Sequence, residues 1–209
     1  MRIITTSIAA AVTLMLIACG TTAVTPASQR SVKNATPADQ FFANLRDLCG
    51  QTFGGRVLVD VPEVPGNDAF AGKQLLMHVR ECKDTEIRVP FHVGDDRSRT
   101  WVITRIGDGL RLKHDHRHAD GSPDDTTLYG GDTQTPGTAT RQSFPVDAES
   151  VAMFERNGLS ASVSNTWALQ LEPGKRVIYE LSRPNGRLFQ VEFDLTQPLP
   201  TPLPPWGAQ

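Results

Sequence analysis

Residues 101–118 read WVITRIGDGLRLKHDHRH. Apolar Trp101 and Ile103 recur at every second position, Gly107-Asp108-Gly109 interrupts, and the alternation resumes at Leu110 and Leu112. Two alternating runs around an Asp-Gly turn signal are the mark of a β-hairpin. On a strand every second side chain shares a face. Leu110, Leu112, His114, His116 and His118 therefore form one face, and Arg111, Lys113, Asp115 and Arg117 the other. The fully charged face is expected in water. The histidine face continues from two leucines, so it is expected to look into the interior or mouth of a closed sheet. The same parity sets Arg105 on the face of Trp101 and Ile103, where it would meet an acidic ligand group or an internal carboxylate.

Working outward, the period of two recurs on both sides. Upstream lie Val57, Val59 and Val61, then Leu75, Met77 and Val79, then Ile87, Val89, Phe91 and Val93. Pro90 predicts an edge or a bulge for the last of these. Downstream, residues 126–129 and 138–144 form weaker runs around a Gly/Pro-rich loop. Trp167, Leu169 and Leu171 open a second meander, turned by Pro173-Gly174 and again by Asn185-Gly186, and closing with Phe189, Val191, Phe193 and Leu195. Two stretches have helical spacing. Thr36-Pro37 reads as a cap followed by a first-turn proline, with Phe41, Phe42, Leu45 and Leu48 on one stripe, which predicts a helix over 37–49. Asp147 opens a second, over 147–157, stopped by Gly158.

Nine or ten short strands joined by tight turns make a meander, and closing a meander removes exposed edges. The expected fold is mainly β: an antiparallel up-and-down β-barrel with an N-terminal helix and one short inserted helix. Over residues 37–196 this order of elements resembles the lipocalin and fatty-acid-binding superfamily, the calycins, with Gly50-Gln51-Thr52-Phe53 standing where lipocalins carry Gly-x-Trp. The resemblance implies a barrel with a ligand cavity. The whole chain is also similar to an uncharacterised group of exported proteobacterial proteins sharing an Asp-His-Arg-His segment, here residues 115–118; that likeness implies export and carries no activity.

The N-terminus predicts an address. Met1-Arg2 precedes a run from Ile3 to Ala18 that is apolar apart from Thr5, Thr6, Ser7 and Thr13, shorter than the roughly 20 residues of a membrane span and suited to a secretory signal. The run ends Leu16-Ile17-Ala18-Cys19-Gly20, which resembles the lipobox of bacterial lipoproteins. That resemblance implies cleavage after residue 18 and acylation of Cys19, including a palmitate-type chain, as the membrane partner. Gly20, where inner-membrane retention favours Asp, implies the outer membrane, with the protein facing the periplasm. The expected organisation is a signal peptide at 1–18, a lipidated tether at 19–35, a barrel domain at 36–196 and a Pro-rich tail at 197–209, with prolines at 198, 200, 202, 204 and 205. In an oxidising compartment the remaining pair, Cys49 and Cys82, reads as a disulfide.

Composition narrows the function classes. Lys+Arg number 21 and Asp+Glu 23, a formal charge of −2 that gives no electrostatic case for nucleic acid. Nucleophile-elbow, His-Glu-x-x-His and phosphate-loop patterns are absent from the sequence. The histidine face carries the remaining chemistry. His114/His116 or His116/His118, with a ligand from another strand such as His78, His92, Glu192 or Asp194, are the candidates for Zn²⁺; the alternative is a hydrogen-bonded polar network at the barrel mouth. The leading functional expectation is a lipid-anchored envelope protein binding a small, partly apolar molecule, with Arg105, His114, His116 and His118 as polar contacts. Two other classes stay open: a solid barrel that docks a protein partner, and a metal-dependent enzyme.

Overall fold

The alternating runs become strands around a capped helix. The structure, a computed structural model, describes residues 35–62 and 69–208; the expected signal peptide, Cys19 and most of the tether lie outside them. Helix α1 (Pro37–Arg46) begins with Thr36 accepting from the Asp39 amide and the Asp39 carboxylate accepting from the Thr36 amide. This reciprocal box satisfies two helix-end donors, and Pro37 occupies the first turn, where an amide is not needed. The helix proper ends three residues short of the predicted boundary, and the chain leaves through a turn to Gly50 (φ 79).

Among the described residues eleven strands follow. They are β1 (Thr52–Val61), β2 (Leu75–His78), β3 (Glu81–Cys82), β4 (Glu86–Val93), β5 (Asp96–Ile106), β6 (Gly109–His116), β7 (Tyr129–Asp132) and β8 (Arg141–Pro145). After helix α2 (Ala148–Arg156) and a 3-10 turn (Ser160–Ser164) come β9 (Thr166–Glu172), β10 (Arg176–Ser182) and β11 (Leu188–Leu199). The sheet runs β7-β6-β5-β4-β2-β1-β11-β10-β9-β8, with β3 on β4 beyond β2. All pairings are antiparallel, and β1 pairs with β11, so the meander closes on itself except between β7 and β8. The fold is a nearly closed antiparallel β-barrel.

The seam between β7 and β8 is made tight by glycine. A Cβ on Gly131 would lie 1.7 Å from the Pro145 carbonyl oxygen, and one on Gly130 would lie 1.9 Å from that of Leu112. Side chains at either position would push the strands apart. Helix α2 stitches the seam with its first turn. The Asp147 amide donates to the Gly130 carbonyl (2.9 Å). The Ser150 hydroxyl accepts from the Gly130 amide (2.8 Å) and donates to its carbonyl (3.2 Å). Asp147 also caps α2 through the Ser150 amide and takes the Lys113 ammonium at 2.7 Å.

One end of the barrel is packed solid. Phe41 and Leu45 of α1 press on Met77, Val89, Ile103 and Leu169, leaving a void of only about 10 Å³. Arg105 closes this end. Its guanidinium pairs with Asp39 of α1 and lies 5.3 Å over the Phe42 ring. The Cys49–Cys82 disulfide forms, joining the turn after α1 to β3.

Three local expectations are revised. Pro90 lies within the sheet, opposite Thr100 of β5, so the edge alternative gives way to the other expected one, an irregular register that follows between Phe91 and Val93. Its missing amide points to the side where Arg88 accepts from Arg80, into the break between β2 and β3. The barrel strand also overruns residue 196. Pro198 and Leu199 pair with Phe53 and Thr52 of β1, which is tolerated because β10 has stopped at the register of Asp194. Asp115, expected in water, is buried: Arg117 holds it at 2.7 Å and Arg88 at 3.4 Å. The tail then crosses the outside of β5, where the Trp206 amide donates to the Arg97 carbonyl and Arg97 donates to the Pro204 carbonyl.

Gly131→Ala is expected to destabilise the fold by more than about 2 kcal/mol, because the added methyl must open the seam; urea unfolding measures it. Replacing Cys49 and Cys82 together by Ser is expected to cost about 3–4 kcal/mol, from the 33-residue separation they span. An unchanged urea midpoint in that double variant would show the bridge to be dispensable.

Candidate functional site: the barrel mouth

Opposite α1 the interior is open. Phe70, the ends of β4 and β6, the starts of β5 and β7 and the hairpin joining β10 to β11 surround a cavity of about 320 Å³. Its floor is aromatic. Trp101 stacks on Tyr179 with ring centroids 4.6 Å apart, and Phe91 lies 5.3 Å from Trp101. Phe70 and Phe189 form one wall, 4.8 Å apart.

The histidine face behaves as its parity requires, up to the end of the strand. Leu110, Leu112 and His114 are buried and inward, and His116 lines the cavity. His114 Nδ1 sits 3.2 Å from the Tyr129 carbonyl and Nε2 sits 2.9 Å from the Tyr179 hydroxyl. A carbonyl only accepts, so Nδ1 carries the proton and Nε2 accepts from Tyr179. His116 Nε2 meets the Tyr129 hydroxyl at 3.0 Å. Burial holds His114 down at about 3 and His116 at about 4, with the neighbouring His116 and Arg99 charges adding to the respective shifts. Both imidazoles are thus neutral near pH 7. Burial also pushes the Tyr129 phenol up to about 12 and Tyr179 well above its usual value.

His118 lies past the end of β6, 56% exposed, 4.0 Å from Asp124. The three histidines therefore do not converge. His114 has no ring nitrogen left for a metal, and among the described residues no group of three His, Cys, Asp or Glu side chains is placed to hold one. His78 and His92 are buried on the faces of β2 and β4 opposite Met77 and Phe91, away from this cavity. Glu192 is ion-paired with Arg56 and Arg176, and Asp194 accepts from Thr196.

Arg105 is at the closed end, so it is not a contact of this cavity; it takes the internal-carboxylate alternative. The cations of the mouth are Arg99, Arg183 and Arg187. Each was readable by the same parity. Arg99 precedes Trp101 by two residues, Arg183 follows Leu181 by two, and Arg187 precedes Phe189 by two. Arg183 and Arg187 also face each other across the hairpin turn, where the Arg183 amide donates to the Arg187 carbonyl. Like charges directly opposite are locally unfavourable.

Two of the three arginines are neutralised from behind. Arg99 pairs with Asp96 at 2.5 Å, and Arg187 pairs with Asp60 and touches the Val61 and Pro62 carbonyls. Arg183 donates through Nε to the neutral Asn165 side chain at 2.6 Å. Its pKa is lowered by burial and by the adjacent Arg187 charge. Leu128, just before Tyr129, holds a left-handed backbone (φ 58) that is costly for a branched residue. A second hollow of about 250 Å³ adjoins the cavity past Arg183, Tyr129 and Tyr179, and reaches α2 and the 3-10 turn.

Two hollows of about 430 Å³ lie elsewhere. One is lined by Arg56, Arg176 and Glu192, which already pair with one another, and the other lies beneath the C-terminal tail beside the paired Asp115. Neither combines an aromatic floor with inward polar groups.

No protein-family model, no curated protein and no solved structure matches this chain.

The neutral histidines make stability depend on pH. Their folded pKa values lie below the unfolded value of about 6.5, so the unfolded chain binds more protons as pH falls. Stability is complete above about pH 6.5 and is lost towards about pH 4 for His116 and His92, and towards about pH 3 for His114. Thermal unfolding followed from pH 7 to pH 4 is expected to show a falling midpoint. His116→Gln, which keeps a partner for Tyr129 and cannot titrate, is expected to shallow that slope.

Proposed function

We propose that this protein is a lipid-anchored component of the bacterial cell envelope whose barrel mouth binds a small, partly apolar molecule. The observation that carries the binding half is the contrast between the two ends. The interior is filled at α1, yet about 320 Å³ stays open above a floor of stacked aromatic rings bordered by inward arginines and hydrogen-bonded histidines. Ligand sites are concave, largely apolar and furnished with a few placed polar groups. The volume is at the small end of that class and suits a single ring with a short arm. The lipid half rests on the Leu16-Ile17-Ala18-Cys19 pattern, and the disulfide agrees with an oxidising compartment. The anchor supplies the membrane partner, and the reading calls for neither a metal nor a redox cofactor.

Mass spectrometry of the protein from a bacterial host is expected to show cleavage before an acylated Cys19, and Cys19→Ser is expected to remain unprocessed. Calorimetric titration with a panel of single-ring aromatic compounds, charged and uncharged, is expected to detect binding that Leu181→Trp, which fills the mouth, removes. A panel that gives no heat with the native protein would reject the binding reading.

A further inference from the structure

The cavity has a definite electrical sense. Three guanidinium groups border it, and none of the described residues lining it or the adjoining hollow is an aspartate or glutamate. The histidines are neutral and the tyrosines protonated, so neither offsets the cations. Asp96 and Asp60 answer Arg99 and Arg187. Arg183 is left with a neutral partner, bound only through Nε. Its Nη1 and Nη2 groups donate no hydrogen bond to any described residue. Those two nitrogens form the planar edge that matches the two oxygens of a carboxylate.

The surroundings select further. Leu181 and Phe189 flank the arginines, and the Trp101–Tyr179 stack lies below. A ligand with its acid on Arg183 would lay an apolar body on rings that favour offset or tilted aromatic contact. A cation here would meet uncompensated like charge. A neutral ligand could offer this half-buried guanidinium a single acceptor but no counter-charge, and so would forgo the stronger charge-assisted two-oxygen pair.

We infer that the mouth is a site for a small aromatic carboxylic acid, with Arg183 as the bidentate carboxylate seat and the Trp101–Tyr179 stack as the platform for its ring. This rests on the mouth being a ligand pocket, and it adds the ligand's charge and the residue that reads it.

The matched pair 4-phenylbutyrate and 4-phenylbutanamide tests it, since the two share size and ring and differ in charge. Titrated calorimetrically into the purified chain at neutral pH, the acid is expected to bind at least tenfold more tightly than the amide. Arg183→Gln is expected to reduce that preference to within about threefold, and Arg183→Lys to keep part of it. Lys175→Gln, which removes the same charge at an exposed turn, is expected to leave it intact. Equal binding of acid and amide by the native protein overturns the carboxylate assignment while the pocket reading stands. Binding of neither overturns both. An acid preference undiminished in folded Arg183→Gln overturns the role of Arg183, as does an equal loss in Lys175→Gln.

Discussion

An imidazole inside a barrel must have both nitrogens answered, and the way His114 meets that demand organises the molecule. Its Nδ1 donates to the Tyr129 backbone on the neighbouring strand β7, and its Nε2 accepts from Tyr179 across the interior on β10. Tyr179 in turn stacks on Trp101 of β5. A single polar residue thereby ties three strands to one another and fixes the level at which the packed half of the barrel gives way to the open half. Leaving either nitrogen unpaired would cost about 1–3 kcal/mol, which favours keeping the Tyr179 hydroxyl and the Tyr129 backbone where they are.

The sheet itself was legible because its strands alternate strongly. Period two in 101–118 and 167–195 places nearly every inward side chain, and turn chemistry at Gly107-Asp108-Gly109 and Asn185-Gly186 places the hairpins. The poorly legible part is residues 119–146, where β7 is two glycines between a tyrosine and an aspartate. No periodicity can be read from residues without side chains; what their sequence does encode is close approach, visible only once Leu112 and Pro145 are known to lie on either side. Pro90, read as an edge or a bulge, and Pro198, read as outside the sheet, both lie within it for a related reason. The rule against proline in a ladder concerns a particular hydrogen bond, and in both places the partner strand has already ended.

The site shows the limit of parity as a guide. Alternation along β5 sets both Arg99 and Arg105 on the inner face, and the sequence offers no means of telling the ends of a strand apart by depth. Helix α1 decides it: by filling one end it turns Arg105 into a helix partner and leaves Arg99 at the open rim. The histidine run was likewise read correctly for direction and too generously for length, since β6 ends at His116 and His118 goes to solvent. Arg183 and Arg187 were overlooked because they sit beside a turn, where charge is ordinary. Their inward parity and mutual opposition were the available signal. Burial alone identifies little: it lowers His92 to about 4 just as it does His116, yet His92 is not among the residues of the barrel mouth.

The disulfide has a consequence beyond stability. It fastens the turn following α1 to β3, so the stopper of the barrel is covalently attached to the wall it closes. The bridge limits how far the helix can drift from that wall, over a core that leaves a void of only about 10 Å³. The open end is the one bordered by arginines, and a ligand of the proposed kind would enter and leave past those charges.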